Sequence, residues 1–252
     1  MKLINDAFSP ALSERYDELA HQALYAMFTG SVLHYVHAGG GLQGKSILDV
    51  GCGNGDVSAL LKLEGAARVL GIDISPAQIA LATSRHTAPG LGFRVEDAYR
   101  PLALEQAPFD SVVCVYAFHF IKNQQTLTQA CRNLFDALRP GGLLVFLDIT
   151  HDYVYDCAKM ARLEALTSYR YDPGVAEGEV PRPWSLVRGY VRAGADTLRV
   201  DHVVIHGETI RQTLEAVGFV DVVREPLRFH DPRIAALWGP DGFNHHLFVA
   251  RR

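Results

Sequence analysis

The chain has 252 residues, 48% of them hydrophobic and 21% charged, with 22 glycines and 12 prolines. That is ordinary globular composition, which excludes collagen-like, low-complexity and disordered chains. With 24 basic against 28 acidic residues, a net charge of −4 and only five lysines, there is no basic stripe for nucleic acid.

A chain this long should bury roughly 70–75% of its unfolded surface and needs no disulfide or metal to hold a core. Cys52, Cys114, Cys131 and Cys157 form no C-x-x-C pair. Three of them sit in apolar stretches, as reduced core thiols do. No apolar run approaches the ~20 residues of a bilayer span, and the polar start MKLINDAFSP lacks a signal-peptide core. A cytoplasmic protein is expected.

In chain order, residues 11–37 carry Leu19, Leu24, Met27 and Phe28 at helical spacing, ahead of the Gly39-Gly40-Gly41 break. One or two N-terminal helices are predicted. Short apolar runs follow at Ser46–Val50, Ala67–Asp73, Leu91–Asp97, Phe109–Phe118 and Gly142–Ile149. Without clean alternation they suit strands buried on both faces of a parallel sheet. Between the second and third, Ser75-Pro76-Ala77-Gln78 writes a helix start: a capping hydroxyl, proline at the first position and Gln at the third. Leu127, Ala130, Cys131, Leu134, Phe135 and Leu138 make one apolar helix stripe, stopped by Arg139-Pro140-Gly141-Gly142.

Residues 151–207 break the rhythm. The stretch Tyr171–Pro183 is irregular, and Ser185–Val191 and Thr197–His206 are expected to pair as a hairpin. A helix at Glu208–Val217 and strands at Val220–Leu227 and Asn244–Arg251 complete the chain. The expected fold is α/β: a doubly wound, seven-stranded, mostly parallel sheet with a C-terminal antiparallel hairpin. The expected parts are an N-terminal helical cap (1–43), a core (44–150), an inserted lid (151–207) and the rest of the core (208–252).

Ligands of such sheets bind outside the carboxyl ends of the strands. There the sequence places Asp49-Val50-Gly51-Cys52-Gly53-Asn54-Gly55, where glycine admits positive φ and a close ligand. Asp73 ends the second strand and can accept both ribose hydroxyls of an adenosine. Asp97 ends the third and can meet an adenine edge. A dinucleotide site wants G-x-G-x-x-G, but the last position is Asp56. Acid there and at Asp49 repels a pyrophosphate and suits a cationic cofactor, S-adenosylmethionine. A nicotinamide oxidoreductase is disfavoured on the same ground.

DVGCGNG, with GIDIS (Gly71–Ser75), VEDA (Val95–Ala98), FDSVVCVYAFHFI (Phe109–Ile121) and LRPGGLLVFLD (Leu138–Asp148), resembles the class I S-adenosylmethionine-dependent methyltransferases. The resemblance covers roughly 44–150 and 208–252. It implies that Gly51, Cys52 and Gly53 form the loop against the cofactor's methionine portion, with Asp49 near the ammonium. Asp73 would bind the ribose, Ile74 the adenine face, and Asp97 and the Ala98 backbone the adenine edge. Tyr116 would stand beside the sulfonium, and Tyr16 would close over the cofactor.

Methyl transfer is an in-line displacement that needs a base only when the acceptor must lose a proton. His119 is the candidate base, and Tyr116 an orienting group. His202 and His206, i and i+4 on one strand face, with Trp184 and Tyr190, are the candidate acceptor-binding residues. This aromatic lid fits a planar or heteroaromatic small molecule, methylated on N or O. No metal-ligand spacing is present: the adjacent His245 and His246 point to opposite faces of a strand. Residues 151–207 and the C-terminal part resemble toxoflavin-type N-methyltransferases and other secondary-metabolite enzymes. A quinone-type C-methyltransferase and a non-catalytic cofactor-binding protein are the alternatives. The partner expected is the small-molecule acceptor, with neither nucleic acid nor membrane; a homodimer is compatible with the sequence.

Overall fold

A computed structural model describes residues 26–102, 104–167, 169–193, 196–228, 235–236 and 245–252. Five parallel strands come first: β1 (Ser46–Val50), β2 (Arg68–Asp73), β3 (Leu91–Val95), β4 (Phe109–Val115) and β5 (Leu138–Ile149). β9 (Val220–Glu225) and β10 (His245–Arg251) follow, and the order across the sheet is β3-β2-β1-β4-β5-β10-β9. β10 runs antiparallel to both β5 and β9, the predicted closing hairpin.

Six helices are described: α1 (Ala26–Ala38), α2 (Asp56–Leu63), α3 (Pro76–Arg85), α4 (Gln124–Ala137), α5 (Cys157–Thr167) and α6 (Gly207–Val217). α3 starts as its sequence predicts, with Ser75 Oγ accepting from the Gln78 backbone N–H at 3.3 Å. α4 is capped by Asn123, whose Oδ1 accepts from Thr126 N at 2.9 Å. It buries Leu127, Ala130, Cys131 and Leu134. Gly218, at φ 119°, ends α6.

Period-two alternation divides the core between the sheet's two faces. Leu143, Val145 and Leu147 of β5 join Phe28 and Val36 of α1 and Leu61 of α2 on one face. Leu144 and Phe146 join Leu134 of α4 and Leu214 of α6 on the other. The sheet is thus covered on both sides, which is why its strands read as continuous apolar runs.

Residues 151–207 hold more order than their sequence predicts. α5 and β6 (Tyr169–Asp172) come before the expected hairpin, β7 (Leu186–Ala193) and β8 (Asp196–Val203), and form with it a three-stranded antiparallel sheet β6-β7-β8. Tyr169 and Tyr171 are buried and Arg170 between them is exposed, an alternation legible in the sequence as one short strand face. Val187 and Val200 of this sheet join the α1-side core. The hairpin differs from expectation at its end. β8 stops at Val203, and His206 is the residue preceding α6, so His202 and His206 do not share a strand face.

Candidate functional site

The loop after β1 is tied down by the neighbouring strand. Gly51 N and Cys52 N both donate to the Ile72 carbonyl, at 2.8 and 3.0 Å. Gly51 adopts φ 72°, and a Cβ there would lie 2.4 Å from Ala117 Cβ, so the turn needs glycine both for its conformation and for its closeness to the β4 end. Asp73 holds the next turn. Its carboxylate accepts from Gly53 N at 3.0 Å and Ser75 N at 2.8 Å. Burial raises the Asp73 pKa, and the hydrogen bonds from Ser75, Gly53 and Ile74 partly offset the rise.

A cleft of about 500 Å³, its open mouth included, lies at the carboxyl edge of β1, β2, β3 and β4. Gly51, Asp73, Ile74, Asp97, Ala98 and Tyr116 all line it, together with Glu96, Tyr99, Ala117 and Phe120. Ile74 is 44% exposed, an apolar face presented to whatever enters. Asp97 accepts from Tyr99 N at 2.9 Å and lies 3.2 Å from Arg100 Nε. Ala98 is held from behind by Asn133, which donates to its carbonyl at 2.8 Å. No lysine or arginine is among the described lining residues, while three acids are. Such a wall repels a diphosphate.

Two loop residues sit beneath the cleft rather than on its wall. Cys52 is buried. Asp49 is buried and receives the Ser58 hydroxyl at 2.5 Å. Burial pushes its carboxyl up to about 7; Ser58 opposes the rise and the charge of Asp73 adds to it. Gln78 was not foreseen: its side chain is buried, and its Oε1, 3.8 Å from where a Cβ on Gly53 would stand, has no hydrogen-bond partner. Tyr16, predicted to close over the cofactor, lies outside the described residues.

Tyr116 follows β4 at φ 54° and meets Phe28 and His245 edge-on, with ring centroids 5.6 and 5.5 Å away. His119 is buried one layer behind the wall. Its Nδ1 lies 2.7 Å from Asp148 Oδ1, and the Asp148 carboxylate also accepts from Phe118 N and Ile149 N. An ionised carboxylate only accepts, so His119 Nδ1 carries the proton and Nε2 the lone pair when the ring is neutral. Asp148 was missed, although it stands one residue before the end of β5, close to where Asp73 stands on β2; a rule of acids near strand ends would have found it.

The other lid residues separate. His202 faces inward, its ring 4.7 Å from that of His119, 5.5 Å from Tyr171 and 5.9 Å from Phe120. Tyr190 pairs in register with Arg199 while His202 pairs with Val187, so Tyr190 points out of the opposite face, under the Arg170 guanidinium at 4.5 Å. Trp184 packs against the α4–α6 side of the core. His206 contacts the Pro181 carbonyl at 2.9 Å and lies 3.8 Å from Asp152. Of the four predicted acceptor contacts besides His119, the structure brings only His202 to it. His245 and His246 do diverge: His245 stacks on Phe28 at 4.8 Å, while His246 lies 3.4 Å from Asp152. Among the described residues no group of three His, Cys, Asp or Glu is placed to hold a metal ion.

The strand order, the glycine turn and the acid at the end of β2 together define a class I methyltransferase fold. Residues 47–142 match the methyltransferase domain family. A 1.60 Å crystal structure of an S-adenosylmethionine dependent methyltransferase from Mesorhizobium loti superposes with a TM-score of 0.61 at 24% identity, covering 87% of this chain and 96% of that one. The sugar N-methyltransferase KedS8 from Streptoalloteichus sp. gives 0.63 at 20% identity, covering 97% and 92%. The ubiquinone biosynthesis O-methyltransferase of Xylella fastidiosa (strain 9a5c) is 33% identical over 114 residues, 44% of this chain and 45% of that one. The chain thus spans less than half the length of this curated relative. No described helix is long and apolar enough to cross a membrane.

Proposed function

We propose that the chain is an S-adenosylmethionine-dependent methyltransferase that acts on a small N or O acceptor carried by an aromatic or heteroaromatic ring. One observation carries the reading: a single cleft is lined by Asp73, Ile74, Asp97, Ala98, Tyr116 and the Gly51 turn, with no basic side chain described on its wall. These residues suit the cofactor. Asp73 offers carboxylate lone pairs to ribose hydroxyls, Ile74 an apolar face to adenine, and Asp97 an acceptor to the exocyclic amine. Gln78 Oε1, buried without a partner, is an acceptor for the amino or hydroxyl groups of the same ligand. The O- and N-methyltransferases among the relatives support an oxygen or nitrogen acceptor.

When bound, the cofactor supplies an electrophilic methyl group on sulfur. The chain's own part is positioning, which can supply most of the acceleration of an in-line displacement. Tyr116, on the wall and braced by Phe28 and His245, shapes the space beside the transferred group. Where the acceptor is an O–H or N–H, its proton needs a destination. His119, fixed by Asp148 with the lone pair on Nε2, is the base we assign to it. Titration with S-adenosylhomocysteine tests the cofactor reading. The expected result is saturable one-to-one binding that NAD does not displace; absent binding, or displacement by NAD, rejects it.

A further inference from the structure

Four buried imidazoles converge beside the cleft from distant parts of the chain: His119 after β4, His151 after β5, His202 at the end of β8 and His245 at the start of β10. His202 and His245 contact the rings of Phe120 and Tyr116, which line the cleft. The cluster therefore begins one ring behind that wall.

Its polar inventory is unusual. His151 is 1% exposed and His202 2%, yet both ring nitrogens of His151 and Nδ1 of His202 have no hydrogen-bond partner. Folded proteins satisfy almost all buried polar atoms, because each failure forfeits the solvation the atom had in water. Three such atoms on two neighbouring rings mark a place where polar groups of something else belong.

The chemistry of the occupant follows from the lining. Burial, reinforced by the neighbouring imidazoles, holds His151 down to about 3 and His202 and His245 well below the ordinary value, so these rings are uncharged. The one described carboxylate at the cluster, Asp148, is already engaged by His119, Phe118 and Ile149. Among the described residues a cation finds no free counter-charge and a phosphate no cationic side chain. An alkyl chain would leave the nitrogens unpaired. What fits is a flat, uncharged ring with hydrogen-bonding atoms around its edge.

We propose that this imidazole cluster is the acceptor subsite, and that it selects uncharged planar rings by pairing their polar edge with His151 and His202. This rests on the methyltransferase reading and narrows its substrate class.

The test uses the full chain saturated with S-adenosylhomocysteine and labelled with ¹⁵N in its histidine rings. The probes are lumazine, hypoxanthine, catechol and 2-naphthol, with naphthalene and decanoate as the apolar comparison. At least one polar ring should shift the His151 and His202 ring signals saturably, and bind tenfold or more weakly in His151→Phe and His202→Phe. The wild-type titration stands even if a variant fails to fold. If S-adenosylhomocysteine does not bind, the methyltransferase reading falls and takes this inference with it. If it binds but no polar ring moves those signals, so that water alone fills the cluster, or if naphthalene or decanoate binds equally well, the inference alone is overturned.

Discussion

Asp73 does two things at once, and that sets what its loss would do. Its carboxylate ties Gly53 and Ser75 while facing the cleft, so Asp73→Ala removes both the acceptor proposed for the ribose and a brace of the glycine turn. S-adenosylmethionine affinity should fall by ~1.5–3 kcal/mol by calorimetry; unchanged affinity would remove Asp73 from the site. Gly51→Ala acts on stability instead. The new methyl would need positive φ and would stand 2.4 Å from Ala117 Cβ, so chemical denaturation should show a loss of about 1–3 kcal/mol. At His119 the question is chemical or structural, since its carbonyl also accepts from Val203 N at 2.8 Å. His119→Gln should lower turnover of an accepted ring ~10²-fold with the affinity for S-adenosylhomocysteine unchanged. A near-wild-type rate would leave it as a bridge between β4 and β8.

Single caps and stripes explain why some elements were legible and others were not. The helix start at Ser75 and the stripe of α4 depend on neighbours three or four residues away, and both were readable. Asn123→Ala, which removes the α4 cap, should cost about 0.5–2 kcal/mol in urea unfolding. β3 and β4 end two or three residues earlier than their apolar runs, because Asp97 and Tyr116 turn away to line the cleft. β5 begins at Leu138, ahead of the Pro140-Gly141-Gly142 signal that suggested a turn. The segment from α5 to β8 was harder, since its strands bury one face against a distant core rather than against sequence neighbours. The wall of the cofactor cleft could be foreseen because each lining residue stands at a strand end. The imidazole cluster could not, because nothing local joins His151, on its way from β5 to α5, to His202 and His245.

Across the whole molecule, buried histidines govern the response to acid. His151 and His246 are held down to about 3, and His202 and His245 well below the ordinary value, chiefly by burial. A depressed folded-state pKa gives stability that is present above about 6.5 and is lost as pH falls toward the folded value. Each such ring costs up to about 1.4 kcal/mol per pH unit in that interval. Asp49, raised to about 7, and Asp73 and Asp152, also raised, act the other way: their contribution grows as pH falls toward the ordinary carboxylate range. Four imidazoles outweigh three carboxyls, one of which is only partly enclosed, so the melting temperature should drop between pH 6.5 and 4.5. His202→Phe should make that drop shallower; an unaltered slope would show that His202 is not held neutral.

The reversed strand β10 has a consequence for how the activity would be lost. The cleft proposed for the methyl donor is lined, among the described residues, from one stretch, residues 50–120, whereas the imidazole cluster proposed for the acceptor also includes His245, delivered to the same rim only because β10 runs against its neighbours. Detaching β9 and β10 would dismantle one half of the machinery and spare the other. During gradual denaturation, then, the protein should stop discriminating among acceptors while still retaining its nucleoside, a decoupling that a uniformly cooperative collapse would not produce.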